Sequence, residues 1–206
     1  MRPITLITVA AAALALAGTF STLVPAQADP AEEATYVGSK TCKKCHFKQH
    51  RAWRKNTLKS KSLDALRPTS ADDSERTARK KAAGLDPEKD YSTDEKCLAC
   101  HTTGYGKNGG YPKDVAANAE LAEKLGEVGC EACHGPGSKY VQFKKDEAEK
   151  DAEATFTFEQ MAPMGLIKPD EKVCAGCHND DNPAKPAEAL DFEATKGLIH
   201  TKKKKK

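Results

Sequence analysis

What this sequence has little of narrows its reading more than what it has in plenty. Trp53 is its one tryptophan, and aromatic residues make up 6% of the 206 positions. After residue 28 no apolar run is long enough to cross a bilayer, and no alternation of apolar and polar residues is long enough to build a sheet. A chain so short of large apolar side chains struggles to offset the entropy of its own ordering. An excess of one charge is also missing, since 33 basic residues face 30 acidic ones. Setting aside Arg2, which lies in the leader described below, leaves 32 against 30, so the balance is no argument for a nucleic-acid partner. Histidine is scarce, with six in all, and no cysteine lies outside four short frames.

Those frames are Cys42-Lys43-Lys44-Cys45-His46, Cys97-Leu98-Ala99-Cys100-His101, Cys130-Glu131-Ala132-Cys133-His134 and Cys174-Ala175-Gly176-Cys177-His178. Cys-x-x-Cys-His is the attachment signature of c-type haem. Two thiols three positions apart each add to one vinyl group, and the histidine that follows lies under the iron as its proximal ligand. Two other chemistries use paired cysteines. Disulfides inside each frame would close tiny loops and stabilise little, and two frames together would supply four thiolates to zinc. Neither accounts for a histidine after every second cysteine. The frames therefore predict four covalently bound haem c groups. Cys42, Cys45, Cys97, Cys100, Cys130, Cys133, Cys174 and Cys177 hold the porphyrins, and His46, His101, His134 and His178 hold the irons. The haem stack then supplies the core that the polypeptide lacks, and the apoprotein is expected to be largely unfolded.

The chain starts Met1-Arg2, runs apolar from Ile4 to Gly18 and reaches Ala26-Gln27-Ala28 before Asp29. A basic start, an apolar stretch and an Ala-x-Ala site read as a secretory signal peptide over residues 1–28. The apolar stretch is short for a membrane anchor. Cleavage leaves a tetrahaem domain over 29–201 and a basic tail over 202–206, with no transmembrane span. Export places the protein in a bacterial periplasm or outside the cell, where haem is attached. Ionised propionates on four ferric haems would add roughly −4 to the charge, so local patches rather than net charge would steer partners.

The expected fold is mainly α, with short helices and long loops wrapped around the haems. Phe47, Trp53, Leu63 and Leu66 mark an amphipathic helix from His46 to Leu66, ended by Pro68. Charged residues from Asp72 to Ala83 form a solvated helix or an extended loop before Gly84. Ser92 and Glu95 read as a capping box ahead of Cys97. Tyr105 and Tyr111 lie in a glycine-rich loop beside the second haem, and Val115 to Leu125 forms a helix. Gly135-Pro136-Gly137 turns the chain, Ser138 caps a helix running to Ala154, and Asp170 caps a turn into Cys174. A last helix spans Leu190 to His200.

Ligand arithmetic is the next constraint. Four six-coordinate irons need eight axial ligands, the frames supply four, and only His50 and His200 remain. At least two haems therefore lack a second histidine from this chain. His200, far from any frame, is assigned as a distal iron ligand, whereas His50, four residues after His46, reads more simply as a surface residue. Met161, Met164, Lys59 and Tyr140 are the other candidates, or an iron stays five-coordinate.

Val37-Gly38-Ser39-Lys40-Thr41 before the first frame, Trp53 and Leu66-Arg67-Pro68 after it, Gly104-Tyr105-Gly106 with Gly109-Gly110-Tyr111, and Gly129 through Gly137 resemble the tetrahaem cytochrome c-554 family. The resemblance covers nearly all of the chain after the leader. It implies a helical periplasmic cytochrome with closely packed haem pairs, three bis-histidine haems and an open second iron, here that of His101. It also implies electron transfer from an oxidising enzyme, such as hydroxylamine oxidoreductase, toward membrane carriers. Where the family has a distal histidine after the first frame this sequence has Lys59, or Leu58 in a shifted register, and after Gly-Pro-Gly it has Tyr140. Only His200 matches a distal ligand of the family.

The expected function is electron carriage between a donor oxidoreductase and an acceptor cytochrome or a membrane quinone-linked carrier. Whether the protein is also an enzyme stays open, because an open iron would bind or reduce nitric oxide or another nitrogen oxide. A third class is a subunit of a larger cytochrome assembly whose partner donates ligands. The Lys202–Lys206 tail is a solvated end or a docking patch for an acidic partner. Exported from a host competent in cytochrome maturation, the protein should be coloured and carry the added mass of four haems; a colourless product with the mass of bare polypeptide would exclude the reading.

Overall fold

The structure, a computed structural model, describes residues 33–70, 72–182, 184 and 190–200. The expected leader and lysine tail lie outside the described residues. Ten short α-helices follow one another among them: α1 (Ser39–Cys42), α2 (Phe47–Asn56), α3 (Ser74–Ala82), α4 (Glu95–His101), α5 (Ala119–Leu125), α6 (Cys130–His134), α7 (Ser138–Lys150), α8 (Phe158–Met161), α9 (Glu171–Ala175) and α10 (Phe192–Thr195). The described residues contain no strand, as the lack of period-two patterning predicts. They belong to one unit that begins at Glu33. None of their helices is long and apolar enough to cross a membrane.

Side-chain caps set many of the boundaries. Asp73 accepts from Arg76 N at 3.0 Å to start α3, and Asp170 accepts from Val173 N at 3.0 Å to start α9. Thr157 and Gln160 form a reciprocal capping box on α8. Gly84 follows α3 at φ 71°, a conformation that costs glycine nothing.

Several expected helices are shorter, each for a local reason. The helix from His46 stops at Asn56, because both the N–H and the hydroxyl of Thr57 donate to the Trp53 carbonyl. Two 3₁₀ turns, Lys59–Lys61 and Asp64–Leu66, continue the chain and still bury Leu63 and Leu66. Before α4 the cap is Asp94, not Ser92; the Ser92 N–H is held by the Asp90 carboxylate at 2.7 Å. The segment from Val115 turns through an Asp114–Ala117 hydrogen bond of 3.0 Å before α5 begins, which leaves Val115 exposed. Ser138 is the first residue of α7 rather than its cap, and its Oγ accepts from Thr35 N at 2.8 Å. Between Leu190 and His200 only Phe192–Thr195 is α-helical.

The protein core is small. Leu63, Leu66, Leu98, Tyr111, Ala122 and Leu125 form its buried cluster, with Tyr36, Tyr91, Cys97, Tyr105 and Leu121 packed against it. Phe143 and Phe156 make an edge-on pair at 4.9 Å. Phe47, Leu58, Ile167 and Leu198 remain exposed on the polypeptide.

α3 has no apolar stripe, and a lysine docks it instead. Lys80 is buried, and its Nζ donates to the carbonyls of Leu66, Arg67, Pro87 and Lys89 at 3.3, 2.6, 3.4 and 3.1 Å. It also lies 5.3 Å from the centre of the Tyr91 ring. Burial, then Arg76, lowers its affinity for the proton, while the converging carbonyl oxygens stabilise the ammonium. Lys80→Met keeps the stem and removes the donors, so it should cost about 2–4 kcal/mol in chemical denaturation of the holoprotein. Unchanged stability would mean that the lysine is not holding the loop.

Candidate haem centres

Each frame is a single helical turn, which brings its cysteines and histidine to one side. Frames two and three lie within α4 and α6. In frames one and four the histidine N–H bonds the first cysteine's carbonyl, at 2.9 Å in both. All eight cysteines are free thiols, and none is fully buried. No cluster of His, Cys, Asp and Glu among the described residues could hold a bare metal ion. The thiols are therefore accessible for thioether chemistry.

The tertiary structure gathers the frames. The thiols of Cys42 and Cys130 lie close enough to act on each other, which raises Cys42 well above its usual range and lowers Cys130. Burial, then the neighbouring Cys100, pushes Cys177 up to about 12. Burial is also the main reason Cys133 is raised, with a contribution from Cys174. Hydrogen bonds place frame three beside the other two early frames: Cys130 N donates to Ser39 Oγ at 3.2 Å, next to frame one, and Gly129 N donates to Thr103 Oγ1 at 2.9 Å, just after frame two. The sulfurs of frame four act electrostatically on those of frames two and three.

His101 is the most firmly held of the motif histidines. Its Nδ1 lies 2.7 Å from the Ser62 carbonyl, and a carbonyl only accepts, so Nδ1 carries the proton and Nε2 is left with a lone pair. Ser62 Oγ donates back to the His101 carbonyl at 2.6 Å and accepts from Val128 N at 2.9 Å. Burial is the first cause keeping His101, His134 and His178 neutral, the form that a metal requires. Around His134 the next causes are His200 and, further down, His46. Lys59 is half-buried and acts electrostatically on His101, His178, Cys133 and Cys177.

His200 lies opposite His134, with ring centres 6.2 Å apart and planes inclined by 29°. His46 is faced by Tyr140, also with centres 6.2 Å apart, at 23°. His50 departs from expectation. It is buried rather than on the surface, 5.3 Å from the Trp53 ring. Burial lowers its pKa first, then Arg54 and Lys43. Met161 and Met164 are half-buried in α8 and the turn after it.

Two features escaped the sequence. Glu131, a spacer residue of frame three, is buried. Its carboxylate accepts from the N–H groups of Val37, at 2.9 and 3.1 Å, Gly38 at 2.7 Å and Gly137 at 2.7 Å. It clamps the segment before frame one to the Gly135–Gly137 turn, whose Gly135 sits at φ 82° and has no room for a Cβ beside the Gly165 carbonyl. The second is Trp53, whose indole N–H is buried with no acceptor among the described residues. An indole so placed suits a site that closes around a group bearing carboxylates, as haem propionates do. The accessible thiols, the neutral imidazoles and this orphaned donor fit haem.

Glu131→Ala would strand three buried N–H groups and should lower holoprotein stability by about 3 kcal/mol with the haem count unchanged. Equal denaturation midpoints in variant and wild type would show that the clamp is dispensable.

The profile of the family described as cytochrome c554 and c-prime matches residues 41–135. Cytochrome c-554 of Nitrosomonas europaea is 33% identical over 154 residues, which cover 72% of this chain and 59% of that relative. The match thus spans less than two thirds of the relative's length. The structure of reduced cytochrome c554 from the same organism aligns with a TM-score of 0.58 at 30% identity, covering 81% of this chain and 78% of that one. Sequence profile, relative and fold agree on a chain whose cysteines all lie in haem-attachment frames, and the protein belongs to the cytochrome c554 family, a mainly α multihaem fold with four covalently bound c-type haems.

Proposed function

We propose that the protein is a periplasmic electron carrier in which each cysteine pair anchors one haem and His46, His101, His134 and His178 are the proximal ligands. Each iron supplies a one-electron couple between its ferric and ferrous states. The polypeptide's part is to fix orientation and spacing. The hydrogen bonds from frame three to the segments beside frames one and two would keep the haems close enough for electrons to pass along the set. His200 opposite His134 supports a bis-histidine pair at the third haem. The Ser62 carbonyl supports a fixed His101, since a hydrogen bond to the outer nitrogen raises ligand basicity.

The observation that carries this reading is that every cysteine lies in a Cys-x-x-Cys-His frame and that frame three is hydrogen-bonded to the segments beside frames one and two. The donor is proposed to be an oxidoreductase, and the acceptor a soluble cytochrome or a quinone-linked membrane carrier. Residues 1–28 would direct export, and the tail at 202–206 would favour acidic partners.

A second reading is small-molecule binding at an open iron. It would apply at His101 or His178, neither of which has a ring stacked opposite it among the described residues, and the family resemblance favours His101. One stopped-flow series separates the two. Dithionite-reduced protein mixed with excess ferric monohaem cytochrome c should deliver four electrons per chain; failure to transfer them would overturn the carrier reading. Carbon monoxide or nitric oxide added to the reduced protein should shift the spectrum of a subset of haems if an iron is open. No shift would remove the second reading, and sustained consumption of nitric oxide would promote it to an enzyme.

A further inference from the structure

We infer that Tyr140 is the distal axial ligand of the haem anchored by Cys42 and Cys45, which would give that iron a histidine–phenolate set unlike the other three. The inference rests on the haem assignment proposed above and concerns a site that His200, which faces His134, does not serve.

The geometry points there in three ways. Tyr140 Oη lies 3.0 Å from His46 Nε2, so the phenol addresses the nitrogen that a frame histidine turns toward iron. The ring pair is built like the other facing pair in the molecule: His46 and Tyr140 lie 6.2 Å apart at 23°, His134 and His200 6.2 Å apart at 29°. If the second arrangement brackets an iron, the first does too. Third, the phenol is half-buried beside frame one and not turned out to solvent.

The backbone explains why a tyrosine arrives there. Gly135-Pro136-Gly137 reverses the chain after His134, α7 begins at Ser138, and Ser138 is tied to Thr35 at 2.8 Å. Thr35 itself is two residues from Val37, which Glu131 clamps. Tyr140 therefore stands on the first turn of a helix whose start is pinned to the segment leading into frame one.

The chemistry needs one adjustment. Two iron–ligand bonds of roughly 2 Å each, in line, separate donor atoms by about 4 Å, about 1 Å more than the hydrogen bond between His46 and Tyr140. A side chain on the first turn of α7 supplies that by small χ rotations. On ligation the phenolic O–H bond breaks, the proton passes to solvent and an oxygen lone pair fills the sixth position, and no electron changes hands. The phenolate then balances the net positive charge of a ferric haem. A hard anionic oxygen favours ferric over ferrous iron, so this haem should be the low-potential member of the set.

The test uses the intact four-haem protein. Wild type should show a phenolate-to-iron charge-transfer band and, by resonance Raman with excitation in that band, an iron–phenolate stretch. Tyr140→Phe should abolish both, change one of the four ferric paramagnetic resonance signatures and raise the lowest of the reduction potentials. Tyr140→His should restore a six-coordinate low-spin signature without the band. Ferric spectra and potentials in Tyr140→Phe identical to wild type would overturn the inference while leaving the carrier reading intact. Fewer than four haems in the wild-type protein would instead sink the carrier reading.

Discussion

Seven apolar side chains are buried among the described residues: Trp53, Leu63, Leu66, Leu98, Tyr111, Ala122 and Leu125. Ten short helices and the loops between them cannot be ordered by so little burial, since ordering each residue costs about 1–2 kcal/mol of backbone entropy alone. That shortage shapes everything else in the molecule. Four covalently bound haems, large, flat and mostly apolar, enlarge the buried surface and restrict the unfolded ensemble. The exposed Phe47, Leu58, Ile167 and Leu198 are apolar surface of the kind such groups cover.

Polar pins do what a larger core would do elsewhere. Lys80 gathers four carbonyls and holds α3 to the segments on either side of it, at Leu66 and Arg67 and at Pro87 and Lys89. Glu131 gathers three N–H groups and holds the start of the unit to the turn after His134. Each is a buried charge whose desolvation is offset by several short hydrogen bonds. Both act at places where backbone groups would otherwise be buried unpaired. Ser62 adds a third pin, with its carbonyl and hydroxyl both engaged by His101. Structural and ligand-setting contacts are thus made by the same residues, so the frames cannot shift without loosening the fold.

Much of the site could be read before the structure. The four Cys-x-x-Cys-His frames are contiguous and need only one helical turn to work, so their chemistry is a local property. The cap residues of α3 and α9 and the glycine after α3 are equally local. Errors fell where a side chain made a competing hydrogen bond. Thr57 closed α2 early, Asp90 took the N–H of Ser92, and Asp114 formed a turn where a helix was expected. His50 was misjudged because helical spacing from His46 fixes its position but not what packs over it.

By itself the sequence determined the number of attachment frames, the identity of their cysteines and histidines, the mainly helical fold and the shortage of histidine for the distal positions. These depend on residue type and on spacings of five positions or fewer. Tertiary structure alone decided which frames lie side by side, that His200 faces His134, that Tyr140 faces His46, and that a glutamate between two haem cysteines binds the segment at Val37 and Gly38. Those are contacts between residues many tens of positions apart. No local propensity encodes them, because they exist only once the loops between the frames have closed.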